Sequence, residues 1–162
     1  MTGAFALRPL DLIAVAERLL STPKGKPSEA SLRRAQSTVY YAIFHCLASQ
    51  CADMFMGGNG ARRSGAAWRQ TYRALEHGPA KNACRDQNIM RKFPKEVEDF
   101  ANAFATLQER RHAADYDPQL QLRKSSVRAD IELAKRVISD FADTKAKDRR
   151  AFAAHVLLKK RA

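Results

Sequence analysis

From Leu10 to Leu157 the apolar residues of this chain recur at spacings of three and four, and no stretch alternates with a period of two. That spacing is the signature of an α-helix buried along one stripe. A chain patterned this way builds its core by laying helix on helix. Its 162 residues suit one domain with a core large enough to need no disulfide or metal staple. Pro9 predicts the start of a first helix, followed by Leu10, Ile13, Ala14 and Leu20. The loop Thr22-Pro23-Lys24-Gly25-Lys26-Pro27 ends it. Ser28 is the natural N-cap of a long second helix running to about Phe55, with Leu32, Ala35, Val39, Ile43, Cys46 and Leu47 on one face. Gly57-Gly58-Asn59-Gly60 closes that helix as a flexible linker.

A third helix is expected over about 64–76, broken by His77-Gly78-Pro79, with a short helix to Cys84. Residues 85–92 read as a polar loop. Pro94 opens a fourth helix whose apolar face is Val97, Phe100, Ala101, Phe104 and Leu107, and Tyr116-Asp117-Pro118 stops it. Ser125 or Ser126 is the expected cap of a fifth helix, with Val127, Ile131, Ala134, Ile138 and Phe141 along its seam. The expected fold is all-α: an up-and-down bundle of four to five helices over residues 1–144. Residues 145–162 form a basic C-terminal tail that could continue as a short helix, with Phe152, Val156 and Leu157 on one side.

Charge narrows the partners. The net charge is +12, and it is unevenly spread. Residues 57–95 hold nine Lys/Arg and two acids, and residues 145–162 hold seven and one, whereas residues 96–117 hold two Arg and six acids. A basic surface favours polyanions, RNA or DNA first. In the central region Arg62, Arg63, Arg69 and Arg73 interleave with Trp68 and Tyr72, a pattern that can pair phosphates and stack bases. Trp68, Tyr72 and Leu75 also fit an ordinary buried stripe. No apolar run is long enough for a transmembrane helix, and Arg8, Pro9 and Asp11 interrupt any signal-like segment. Three cysteines without a CxxC pair point to a reduced, cytoplasmic protein. No metal-ligand spacing, Walker loop, GxGxxG or GxSxG is present, so neither metal nor cofactor is expected.

Two polar constellations remain. On the second helix Arg34, Thr38, Tyr41 and His45 recur at helical spacing beside the apolar stripe. On the fourth, Arg111 extends the apolar face, and Asp115 one turn later is a natural ion-pair partner. That arginine is either a structural ion pair or a fork held ready for phosphate oxygens. His112 is adjacent but about 100° round the helix. His77 falls at a helix end, four residues after Arg73, and His155 in the tail is expected to face solvent.

The segment Arg33-Arg34-Ala35-Gln36-Ser37-Thr38-Val39-Tyr40-Tyr41-Ala42-Ile43-Phe44-His45 resembles the R-x-x-YYAxFH signature of HEPN-domain proteins. Arg111-His112-Ala113-Ala114-Asp115-Tyr116-Asp117-Pro118 resembles the R-x-x-ADYDP segment of the same subgroup. The resemblance covers about residues 8–143. It implies a small helical bundle that dimerises, a defence or toxin–antitoxin setting, and a nucleotidyltransferase-type partner protein. Many members are metal-independent ribonucleases with an R-x(4–6)-H motif. Here the residue five after Arg111 is Tyr116, and the nearest histidine is the adjacent His112. Arg111 and His112 are thus the candidate catalytic residues. Arg34, Thr38, Tyr41, His45, Asp115 and Tyr116 form a candidate polar pocket, and Arg62, Arg63, Arg69, Arg73 and Trp68 a candidate nucleic-acid surface. The leading expectation is a homodimeric RNA- or nucleotide-binding protein. A divergent ribonuclease and a non-catalytic interaction module are the alternatives.

Overall fold

A computed structural model describes residues 7–59 and 62–161, so Gly60 of the glycine linker lies outside the described residues. These residues form eight helices and no strand: α1 (Pro9–Leu20), α2 (Glu29–Met56), α3 (Gly65–Arg73), α4 (His77–Arg85), α5 (Gln87–Met90), α6 (Lys95–Tyr116), α7 (Lys124–Ala142) and α8 (Ala146–Leu157). The all-α bundle expected from the apolar spacing is present, with more helices than the four or five foreseen. No described helix is long and apolar enough to cross a membrane.

The bundle is built around α2. Ser28 caps it, its hydroxyl accepting from the Ser31 N–H at 3.1 Å. Helices α1, α3, α6, α7 and α8 all pack on it. Residues 35–40 are consecutively buried, which is more than one full turn, so this part of α2 has no solvent face. The apolar stripe expected of α2 is buried, and over residues 35–40 the rest of the helix surface is enclosed as well. The small residues Ala35, Ser37, Ala42 and Ala48 let neighbouring helices approach closely. The start of α2 lies against the end of α6, which makes the two antiparallel. There the Arg33 guanidinium donates to the carbonyls of Ala114, Asp117 and Leu120 at 3.0, 2.7 and 2.5 Å. A cation at this helix end satisfies exposed carbonyls and complements the negative end of the helix dipole.

Several local boundaries differ from the sequence expectation. His77-Gly78-Pro79 does not end a helix but begins α4, because a proline in the first turn sacrifices an N–H that has no intrahelical partner. The 85–92 segment is not only loop: Gln87–Met90 makes one helical turn that buries Met90 completely. Neither Ser125 nor Ser126 caps α7, which starts at Lys124 after Arg123. The Glu29 carboxylate on α2 accepts the Leu122 N–H at 3.1 Å and anchors this entry from across the bundle.

The charge boundary at residue 144 is not a packing boundary. Helix α8 buries Phe152, Ala153 and Val156. The Phe152 ring meets Phe100 and Phe141 edge-on at 6.1 and 5.8 Å, and those two rings stack at 4.4 Å. His155 is half-buried rather than solvent-facing, its Nε2 2.7 Å from the Ala83 carbonyl of α4. Lys147, Arg149 and Arg150 therefore decorate a helix that belongs to the core, and Lys159, Lys160 and Arg161 follow its end. Phe152→Ala should destabilise the fold by about 3–5 kcal/mol in urea denaturation, as for other buried aromatic truncations. A cost within surface-substitution range would show α8 to be a dispensable tail.

Candidate functional site

Enclosing α2 forces its polar side chains to find partners inside the bundle. Gln36 donates its amide to Asp130 of α7 at 3.0 Å, and Asp130, only 3% exposed, also pairs with Arg110 of α6. Thr38 donates back to the Arg34 carbonyl at 2.7 Å, so its hydroxyl is spent within its own helix. Ser37 donates to the Asp115 carboxylate at 3.4 Å. Tyr40 is fully buried, and its hydroxyl lies 2.6 Å from Nδ1 of His77 on α4.

Above these groups sits Arg111. It is 9% exposed, on the face of α6 turned to α2. Its guanidinium carbon lies 5.2 Å from the Tyr40 ring centre and 5.9 Å from that of Tyr41. The expected Asp115 partner is there, but at a loose 3.5 Å, and that carboxylate is about one-third exposed. The buried Nε of Arg111 has no hydrogen-bond partner among the described residues. A guanidinium offers five N–H donors. This one is held by ring faces and one long ion pair, with most of its donor capacity unused.

The site also contains histidines that local spacing did not connect with it. His77 stacks on Phe44 at 4.2 Å and approaches Tyr41 edge-on at 6.0 Å. His45 lies 6.3 Å from Tyr41 ring to ring, and its Nδ1 is 2.5 Å from the Tyr72 hydroxyl on α3. The Tyr40–His77 pair thus shares its surroundings with Arg111, and the His45–Tyr72 pair lies one ring further on, beyond Tyr41. Burial holds His45 below the usual histidine value. Burial, then the Arg111 charge, then His45 hold His77 below it as well. Burial, with a smaller push from Cys46, raises the Tyr72 hydroxyl to about 12, and burial raises Tyr40 further still, so both remain protonated donors at neutral pH. Burial also pushes the thiols of Cys46 and Cys51 up to about 12 and Cys84 higher, which makes them inert. Among the described residues no group of three His, Cys, Asp or Glu side chains is placed to hold a metal ion.

The basic helix α3 joins this cluster through Tyr72. Ser64 caps it, accepting from the Ala67 N–H at 3.2 Å. Trp68 lies 5.3 Å from Tyr72 ring to ring and donates Nε1–H to Asp53 at 2.8 Å. Arg63 covers the indole at 4.7 Å while donating to Asp53 and to the Gly57 carbonyl. Half-buried Tyr41, His45, Tyr72 and Trp68 therefore form a ring-to-ring row from Arg111 to α3, in steps of 6.3, 5.8 and 5.3 Å. Arg62, Arg69 and Arg73 are exposed beside it, as is Arg34 on α2. Arg63 is committed to Asp53 and Trp68, so it differs from the other three central arginines.

Not every candidate converges. His112 and Tyr116 face away from Arg111 and line a separate groove between α4 and α6 with Lys81 and Glu109, their rings 4.9 Å apart. Tyr116 is 67% exposed and does not belong to the polar pocket. The adjacent pair Arg111–His112 is therefore split by the helix, and His77 from α4 is the histidine that accompanies Arg111. Tyr40, Phe44, Ser37 and His77 were missed as site residues. Tyr40 and His77 are 37 positions apart, and only the packing of α4 on the bundle joins them.

The depressed histidine values have a stability consequence. The unfolded chain protonates each ring near its ordinary value, about 6.5, and the folded protein only at lower pH. Their contribution to stability is therefore complete above about pH 6.5 and is lost as pH falls towards the folded values. Urea midpoints should drop between about pH 7.5 and 5.5, and His77→Gln should flatten that drop. An equal slope in the variant would exclude this contribution. No protein-family model matches the chain, and no curated protein or solved structure matches it either.

Proposed function

We propose that this protein binds RNA or a nucleotide, with Arg111 as the phosphate anchor and the Tyr41–His45–Tyr72–Trp68 row as a surface for bases. The observation that carries this reading is Arg111 itself: nearly buried, seated on two tyrosine rings, with a loose partner and an orphaned Nε. A buried charge left so poorly paired is costly as a structural device. A planar fork held rigid by rings is well suited to phosphate oxygens. Exposed Arg69 and Arg73 on α3, at the far end of the row, add the sequence-independent attraction of a polyanion site.

The two HEPN-like motifs lie on α2 and α6, the helices that carry this site, which supports the family reading as a proposal. A homodimer, a toxin–antitoxin or defence role and a nucleotidyltransferase-type partner follow from that reading. Light scattering tests the dimer, and co-expression with such a neighbour tests the partner. A second reading, metal-independent RNA cleavage, is favoured by His77, which shares the Tyr40 and Tyr41 rings with Arg111. It requires cleavage in the presence of a chelator that disappears in Arg111→Ala, and intact RNA after incubation with clean protein would remove it.

Arg111→Met separates binding from structure. It keeps volume and removes an undersatisfied charge, so stability should stay within about 1 kcal/mol or rise. RNA binding, followed by fluorescence anisotropy, should be lost. Loss of stability with unchanged binding would instead make Arg111 structural and favour an interaction module. Arg69→Ala and Arg73→Ala should each reduce the slope of log affinity against log salt by about one. Absence of RNA and nucleotide binding even at low salt would overturn the proposal.

A further inference from the structure

His77 is oriented by three contacts. Its ring stacks on Phe44 at 4.2 Å, its Nδ1 meets the Tyr40 hydroxyl at 2.6 Å, and Tyr41 stands against it at 90°. The buried Tyr40 hydroxyl has no other hydrogen-bond partner among the described residues, so it donates to Nδ1. The neutral imidazole then keeps its proton on Nε2. That nitrogen has no hydrogen-bond partner among the described residues and is not buried, so it remains available to a ligand. Arg111 and His77 share the same two rings: they lie 5.2 and 5.5 Å from Tyr40 and 5.9 and 6.0 Å from Tyr41.

We propose that His77 is a second ligand of the phosphate held by Arg111, and that it takes up a proton as the phosphate binds. This rests on the phosphate reading of Arg111 and deepens it. The groups facing His77 explain the coupling. From α6 comes the Arg111 cation, with Asp115 beside it. From α2 come Tyr40, Tyr41 and His45, and Tyr72 of α3 lies behind His45. Glu76 and Lys81 belong to its own end of the bundle, Cys84 of α4 is a neutral thiol, and His155 of α8 is turned to the Ala83 carbonyl. In the free protein, burial and the Arg111 charge keep His77 neutral at pH 7. A phosphate on Arg111 cancels that charge and accepts from Nε2–H, and both effects favour the imidazolium; the added proton goes to Nδ1, and the Tyr40 hydroxyl turns from donating to that nitrogen to accepting from it. Between the free and bound values, affinity therefore falls as pH rises, by up to about tenfold per pH unit.

The test is calorimetric titration of the full chain between about pH 5.5 and 8, in two buffers of different ionisation heat. Sulfate, adenosine 5′-monophosphate and the dinucleotide ApA serve as probes. Sulfate does not titrate in this range, so its proton linkage comes from the protein alone. ApA offers only an internal phosphodiester and the monophosphate only a terminal group, so binding of one or the other identifies which phosphate the site takes. The expected result is proton uptake on binding by the wild type and by His155→Gln, whose ring is turned to the Ala83 carbonyl away from the site, and pH-independent sulfate binding without uptake by His77→Gln. Uptake retained in His77→Gln, or binding by the wild type without uptake, would overturn the role of His77. Arg111 would keep its role in that case if Arg111→Met still abolished binding. No binding of any probe by the wild type would overturn both.

Discussion

A helix enclosed on every side carries its polar residues into the interior, and each must then find a partner there. This constraint on α2 organises the molecule. Gln36 calls for Asp130 of α7, Ser37 for Asp115 of α6, and Tyr40 for His77 of α4, while Arg33 gathers three carbonyls at the end of α6. Each partner comes from a different part of the chain, so the polar contacts fix which helix lies where. Apolar burial alone would tolerate sliding and rotation of these helices, whereas directional bonds at a buried surface do not.

Arg111 is the exception to this satisfaction. Gln36, Thr38 and Tyr40 have partners at 3.0 Å or less, yet the Arg111 Nε has none and its carboxylate lies at 3.5 Å. The rings of Tyr40 and Tyr41 hold the guanidinium in place without consuming its donors. Local inconsistency of this kind, in an otherwise consistent interior, is what a functional or a strained position shows, and it is the ground on which the phosphate proposal stands. His77, held below the usual histidine value by burial and by the Arg111 charge, gives the same place a group that can take up a proton.

Much of the fold was legible in the amino acids. Ser28, Pro9 and the apolar spacing located α1, α2, α6 and α7 closely, because capping and amphipathic periodicity act within a few residues. The seat of Arg111 on an apolar helix face was also legible, as was the partner one turn away. Three things were not. The histidine beside Arg111 was sought within five residues and came from α4. The first turn of α4 looked like a break, since Gly78 and Pro79 are breakers except where N–H groups are unused. The role of α8 was hidden by its basic residues, although Phe152 and Val156 carried the signal.

The sequence by itself determined that this chain is helical, where most helices begin, and that arginines and aromatic rings crowd two segments. These are short-range matters of propensity, capping and period. Only the tertiary structure decided which rings touch, that His77 rather than His112 stands with Arg111, and that α3 extends the site instead of forming a separate basic surface. Those outcomes depend on contacts between residues tens of positions apart. The rotation of each helix about its axis selects them, and enclosure of α2 leaves few rotations that satisfy its buried polar groups.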